Sequence, residues 1–142
     1  MTSEIRQMLQ NLLDASPAEK VGYAVEALTE FANGLHAKGL DESEIKKQIE
    51  DVTKLFVSAD LDCVGDEYSF YKAVTGFELS PEEFYDVTNG GRDPNFMKEC
   101  FGFLSTLDQR TKVAACLYGF SVLSCDDKIT ADECKLVDII LG

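Results

Sequence analysis

The sequence predicts an all-α fold, a compact bundle of about eight helices, and three observations carry that reading. Apolar residues recur at helical spacing along nearly the whole chain, helix-start signals punctuate it, and no alternating run bounded by a hairpin turn argues for a strand. The 142 residues read as one domain, 1–142, long enough to bury a core. With 45% hydrophobic and 27% charged residues, the composition is that of an ordinary globular chain, which argues against disorder.

A first helix is expected from Glu4 to Leu13, with Ile5, Met8, Leu9, Leu12 and Leu13 on one face. Ser16-Pro17-Ala18-Glu19 then supplies an N-cap serine, a proline at the first helical position and a capping-box glutamate. The helix it starts aligns Val21, Ala24, Val25, Leu28, Phe31, Ala32 and Leu35, and Gly39 is a stop. Asp41 and Glu44 cap a third helix with Ile45, Ile49, Val52, Leu55 and Phe56 inward and Lys46, Lys47, Glu50, Asp51 and Lys54 facing water. After an acidic stretch from Asp60 to Glu67, a fourth helix carries Tyr68, Phe70, Tyr71 and Val74 to Gly76.

Ser80-Pro81-Glu82-Glu83 opens a short helix that Asn89-Gly90-Gly91 ends, and Asp93-Pro94 opens another with Phe96, Met97, Cys100, Phe101 and Leu104 inward. Phe96, Phe101 and Phe103 are expected to fill the core. A helix from about Gln109 to Cys125 is apolar on every side from Val113 onward, which predicts a central, buried element. The capping box Thr130-Ala131-Asp132-Glu133 opens the last helix, with Leu136, Val137, Ile139, Ile140 and Leu141.

The acid excess bounds the partners. Twenty-six acidic residues against 13 basic ones give a formal net charge of −13, which repels polyanions and argues against nucleic-acid binding. The longest uncharged run, Val113 to Cys125, has 13 residues, too few for a transmembrane span, and the first residues lack the basic and apolar regions of a secretory signal. Five cysteines with no CxxC, and a single histidine, cannot assemble zinc-type spacing and suit a reducing cytosol. His36 falls near a helix C-terminus, where a cation complements the dipole. No nucleophile elbow, phosphate-binding glycine loop or dinucleotide fingerprint is present, so the chain does not read as an enzyme.

Residues 41–76 align with 107–142 without a gap. Identities fall at Lys46/Lys112, Ser58/Ser124, Asp60/Asp126, Asp66/Asp132, Glu67/Glu133 and Gly76/Gly142. Most of them cluster at one helix–loop–helix junction, which predicts a duplicated helical hairpin paired about a pseudo-two-fold. The junctions are rich in carboxylates: Asp60, Asp62, Asp66 and Glu67 in the first copy, Asp126, Asp127, Asp132 and Glu133 in the second. Hard oxygen donors of this kind suit Ca²⁺, Mg²⁺ or Mn²⁺. Helix capping explains the same acids without a metal, because they flank helix N-termini that favour negative charge. An EF-hand does not fit, since Val64 and Tyr71 occupy ligand positions five and twelve.

The stretches LFVSADLDCVGDEYSFYKAV and YGFSVLSCDDKITADECKLVDII each set a small residue and Asp before a Glu seven positions on, between an apolar and an amphipathic helix. In this they resemble the tellurite-resistance protein B (TerB-like) family over roughly residues 41–142. The family's glycine after the first Asp is Leu61 here and Asp127 in the second copy, and its polar N-cap is Val64 in the first copy and Thr130 in the second. The resemblance implies a compact all-α cytoplasmic protein of tellurite and other chemical stress responses, with metal binding through the acids. The alternative is a metal-free helical scaffold or protein-interaction module.

Overall fold

A computed structural model describes residues 3–59, 64–78, 80, 82–84, 93–123 and 131–141; at 58, 59, 64–67, 123 and 131–133 it describes the backbone alone. Seven helices lie among the described residues: α1 (Ser3–Asp14), α2 (Pro17–Ala37), α3 (Glu42–Ala59), α4 (Val64–Thr75), α5 (Pro94–Leu104), α6 (Gln109–Leu123) and α7 (Ala131–Leu141). A helical turn over 82–84 separates α4 from α5, and no strand occurs among the described residues. The fold is all-α, as the periodicity predicts.

Local chemistry sets the helix ends. Ser16 Oγ accepts the Glu19 amide at 3.3 Å and donates to the Glu19 carboxylate at 3.0 Å, with Pro17 in the first turn. Gly39 (φ +102°) turns the chain out of α2, and the Leu40 amide closes back onto the Leu35 carbonyl at 3.2 Å, a Schellman-type ending. At α3 the capping box is reciprocal: Asp41 Oδ1 accepts the Glu44 amide at 2.8 Å, and Glu44 Oε1 accepts the Asp41 amide at 3.4 Å. Gly76 (φ +69°) ends α4, and Asp93 caps α5 through the Asn95 amide at 3.0 Å. Asp108 caps α6 by accepting the Thr111 amide at 3.1 Å, a start that the sequence reading placed only approximately. The expected Asn89-Gly90-Gly91 stop and the Gly142 terminus lie outside the described residues.

α6 is the hub. It packs most extensively against α2, then against α3 and α7, with α1 and α4 also touching it. Ala114, Ala115, Cys116, Tyr118, Phe120 and Val122 are all buried, so the helix predicted to be central is central. Two crossings are close because one partner lacks a side chain. A methyl at Gly34 would collide with Thr111, bringing α2 against α6, and one at Gly119 would enter the Phe56 ring, bringing α3 against α6.

The sequence-predicted faces need five corrections. Met8 (45% exposed) lies off the buried α1 stripe of Ile5, Leu9 and Leu12. Val25 (41%) is turned out because α2 buries Lys20, Ala24, Ala27, Phe31 and Leu35 instead. Ile139 (57%) is exposed on α7, where Leu136, Val137 and Ile140 face inward. Phe96, Phe101 and Phe103 pack against the core but are only half-buried, and Lys54 covers Phe96 while Lys38 covers Phe103, at 4.6 and 5.4 Å from the ring centroids. Lys54, Glu50 and Asp51 are accordingly half-buried rather than fully in water.

Candidate functional site

The acidic junctions are placed by their flanking helices. α3 ends at Ala59 and α4 begins at Val64; α6 ends at Leu123 and α7 begins at Ala131. Asp66 and Glu67 fall in the first turn of α4, and Asp132 and Glu133 in the first turn of α7, at the positive ends of the helix dipoles. The side chains of these four acids, and Asp60, Asp62, Asp126 and Asp127 altogether, lie outside the described residues, as do Cys63 and Cys125. Among the described residues no group of three or more His, Cys, Asp or Glu side chains is placed to hold a metal ion.

The helices around the junctions share a burial pattern at the predicted offset. Ile49 and Ala115, Val52 and Tyr118, Phe56 and Val122, Tyr71 and Val137, and Val74 and Ile140 are buried at equivalent positions. α3 and α6 meet at pairs that miss equivalence by one position at Thr53 and Tyr118 and by three at Phe56 and Gly119. Thr53, which aligns with Gly119, hydrogen-bonds Tyr118, which aligns with Val52, and Gly119 receives the Phe56 ring.

Two grooves open elsewhere on the surface. The first, of about 270 Å³, runs between α1, α2 and α6 and is lined by Met8, Leu12, Tyr23, Glu26, Glu30 and Leu117. Met8 and Tyr23, its lips, are each 45% exposed. Glu30 on its wall accepts a hydrogen bond from Arg110 Nε at 2.7 Å. Sequence reasoning missed this groove because it put Met8 in the core. The signal that finds it is the helical spacing of Tyr23 with Glu26 and Glu30, an aromatic side chain on an acidic flank of α2.

The second groove, of about 410 Å³ between α3 and α5, is polar and internally paired. Lys47 Nζ donates to Asp51 at 2.8 Å, a bond that holds the Lys47 pKa above its ordinary value, and Lys54 lies over Phe96. Cys100, on the floor of this groove, has its thiol pushed up to about 12 by burial and by the Asp51 carboxylate, so it is protonated at neutral pH and is no nucleophile. Cys116 is likewise pushed up to about 12 by burial. His36 sits exposed in the last turn of α2.

No helix among the described residues is long and apolar enough to cross a membrane. No protein-family model matches this chain, no curated protein matches it, and no solved structure matches it.

Proposed function

We propose that this chain is a TerB-like, non-enzymatic accessory protein of cytoplasmic chemical-stress responses that binds a divalent cation through its paired acidic junctions. Asp60, Asp62, Asp66 and Glu67 would supply oxygen donors from one junction, and Asp126, Asp127, Asp132 and Glu133 from the other. Ca²⁺, Mg²⁺ and Mn²⁺ match that donor set. The observation that supports the reading is the packing of α3 on α6 at near-equivalent positions, one to three residues out of register, each helix leading into a junction with an acid pair in the next helical turn. Two hairpins that pack about a common axis give this relationship, and such an axis would present both junctions in equivalent settings.

Isothermal titration of the full chain with each cation tests the proposal. Saturable binding of at least one of them, lost in the Asp60→Asn/Asp126→Asn double variant, is the expected result. A flat titration of folded protein at millimolar metal, or unchanged binding by that variant, overturns it.

A second reading, a metal-free interaction module, has an observation of its own. Met8 and Tyr23 are exposed along the groove between α1, α2 and α6, beside the carboxylates of Glu26 and Glu30, which joins apolar and acidic side chains in one concave surface.

A further inference from the structure

We propose that the groove between α1, α2 and α6 receives an amphipathic helix of another protein, one whose apolar stripe is flanked by lysine or arginine. This deepens the interaction-module reading and rests on it. Shape is the first argument. The groove's volume of about 270 Å³ falls below the ~300–1,000 Å³ typical of pockets that enclose a small molecule. It suits a few anchoring side chains presented at i, i+3, i+4 and i+7 by a helix lying along it.

Charge is the second argument, and it selects the partner. On α1, Glu4, Met8 and Asn11 are spaced i, i+4, i+7 and share one flank; on α2, Glu19, Tyr23, Glu26 and Glu30 are spaced i, i+4, i+7, i+11 and share another. The apolar lips Met8 and Tyr23 thus sit beside three glutamates on α2, two of which, Glu26 and Glu30, line the groove, and the single Glu4 on α1. Arg110 is the cation that pairs with this acidic face among the described residues, through Glu30, and it is an exposed surface contact that a docking lysine or arginine can exchange with. Glu26 makes no ion pair among the described residues. A segment with acidic flanks would be repelled here, on a chain of net charge −13, and so would an anionic membrane or a nucleic acid.

The test uses the ¹⁵N-labelled full chain and two synthetic amidated 18-residue peptides. One carries leucines at helical i, i+3, i+4, i+7 spacing with lysines on both flanks; the other replaces every lysine by glutamate. The lysine peptide should shift amide resonances around Met8, Tyr23 and Leu117 and bind at least about tenfold more weakly to Tyr23→Ala, as a central aromatic anchor does. Binding should also weaken several-fold in Glu26→Lys, and that loss should shrink at about 0.5 M salt, where exposed charges are screened. Met8, Tyr23 and Glu26 are exposed, and circular dichroism melts of each variant are the check that it stays folded.

Shifts centred elsewhere, no binding of the lysine peptide, or binding indifferent to Tyr23→Ala and Glu26→Lys overturn the inference. So does self-association of the chain that Met8→Glu abolishes, since the groove's occupant is then a second copy. Binding of the glutamate peptide in the groove overturns this inference but leaves an interaction module standing. The cation titration is repeated on Tyr23→Ala, where an unchanged result separates the groove from the acidic junctions.

Discussion

Thr53 Oγ1 and Tyr118 Oη lie 2.6 Å apart, buried between α3 and α6 and 65 positions apart in the chain. The direction of the bond follows from counting hydrogens. Thr53 already gives its one hydroxyl hydrogen to the Ile49 carbonyl at 2.7 Å, so Tyr118 is the donor and Thr53 the acceptor. Burial also pushes the Tyr118 pKa upward, keeping that donor protonated.

The asymmetry of this bond predicts unequal costs for removing its two ends. Tyr118→Phe deletes the donor and leaves Thr53 still bonded to Ile49, so the expected loss is about 0.5–1.5 kcal/mol. Thr53→Val strands the Tyr118 hydroxyl where it is wholly buried, and the expected loss is about 1–3 kcal/mol. The double variant should be less destabilised than the sum of the two. Urea unfolding of the four proteins measures all three quantities. A loss from Tyr118→Phe that exceeds that from Thr53→Val contradicts the assignment of donor and acceptor.

Glycines in the helices divide into those that permit a crossing and those that do not. A methyl at Gly119 meets the Phe56 ring and one at Gly34 meets Thr111, whereas one at Gly22 meets nothing within 4 Å. Gly119→Ala and Gly34→Ala should each cost about 1–3 kcal/mol through overpacking. Gly22→Ala should stabilise by roughly 0.5–1 kcal/mol, because it removes backbone freedom from the unfolded chain and leaves no new contact to strain. Thermal melts rank the three directly, and destabilisation by Gly22→Ala would show that α2 is more crowded there than its packing indicates.

What could be read in advance was set by the reach of each signal. Ser16, Asp41, Gly39 and Gly76 act on backbone groups a few residues away, so their roles were legible without any tertiary information. The centrality of α6 was legible too, since a helix apolar on every side has no solvent face to offer. The azimuth of a wider stripe was not. The stripe of Val21, Ala24, Val25, Leu28, Phe31, Ala32 and Leu35 is too wide to fix its own centre: Ala24, Phe31 and Leu35 are buried together with Ala27, which lay outside it, Val21 and Leu28 pack at the core's edge, and Val25 is exposed. The Thr53–Tyr118 pair and the Met8–Tyr23 groove depend on residues brought together from different helices, which no single stripe encodes. Of the candidate cation site, what was legible is the position of Asp66, Glu67, Asp132 and Glu133 in the first turns of their helices.

Phe84 holds the turn at 82–84 against α4. Its ring centroid lies 5.6 Å from Tyr68 and 5.4 Å from Tyr71, and Tyr71 also meets Phe77 edge-on at 6.0 Å. The turn itself is begun by Ser80, whose hydroxyl accepts the Glu83 amide at 3.1 Å. With Phe84 buried to 1% exposure, Phe84→Ala should cost about 3–5 kcal/mol, while Ser80→Ala should cost about 1 kcal/mol. Proteolysis near the turn should rise sharply in the first variant and little in the second. Equal sensitivity of the two would mean that the aromatic cluster does not anchor this segment.

The buried thiols predict how stability responds to alkali. Burial raises the pKa of Cys100 and of Cys116 from the ordinary thiol value of 9.0 to about 12. Above pH 9 the unfolded chain releases these protons while the folded chain keeps them, so the folded state binds more protons and stability falls as pH rises. Their contribution is intact below pH 9 and is lost progressively up to about pH 12, at about 1.4 kcal/mol per pH unit for each thiol. Tyr71 and Tyr118, also raised by burial from 10.0, steepen the fall above pH 10. Urea unfolding at intervals from pH 8 to 11 should show this decline. The Cys100→Ala/Cys116→Ala variant, though less stable at neutral pH, should lose stability with a visibly shallower slope between pH 9 and 10, before the tyrosines enter. An unchanged slope in that variant would place the alkaline sensitivity on groups other than these two thiols.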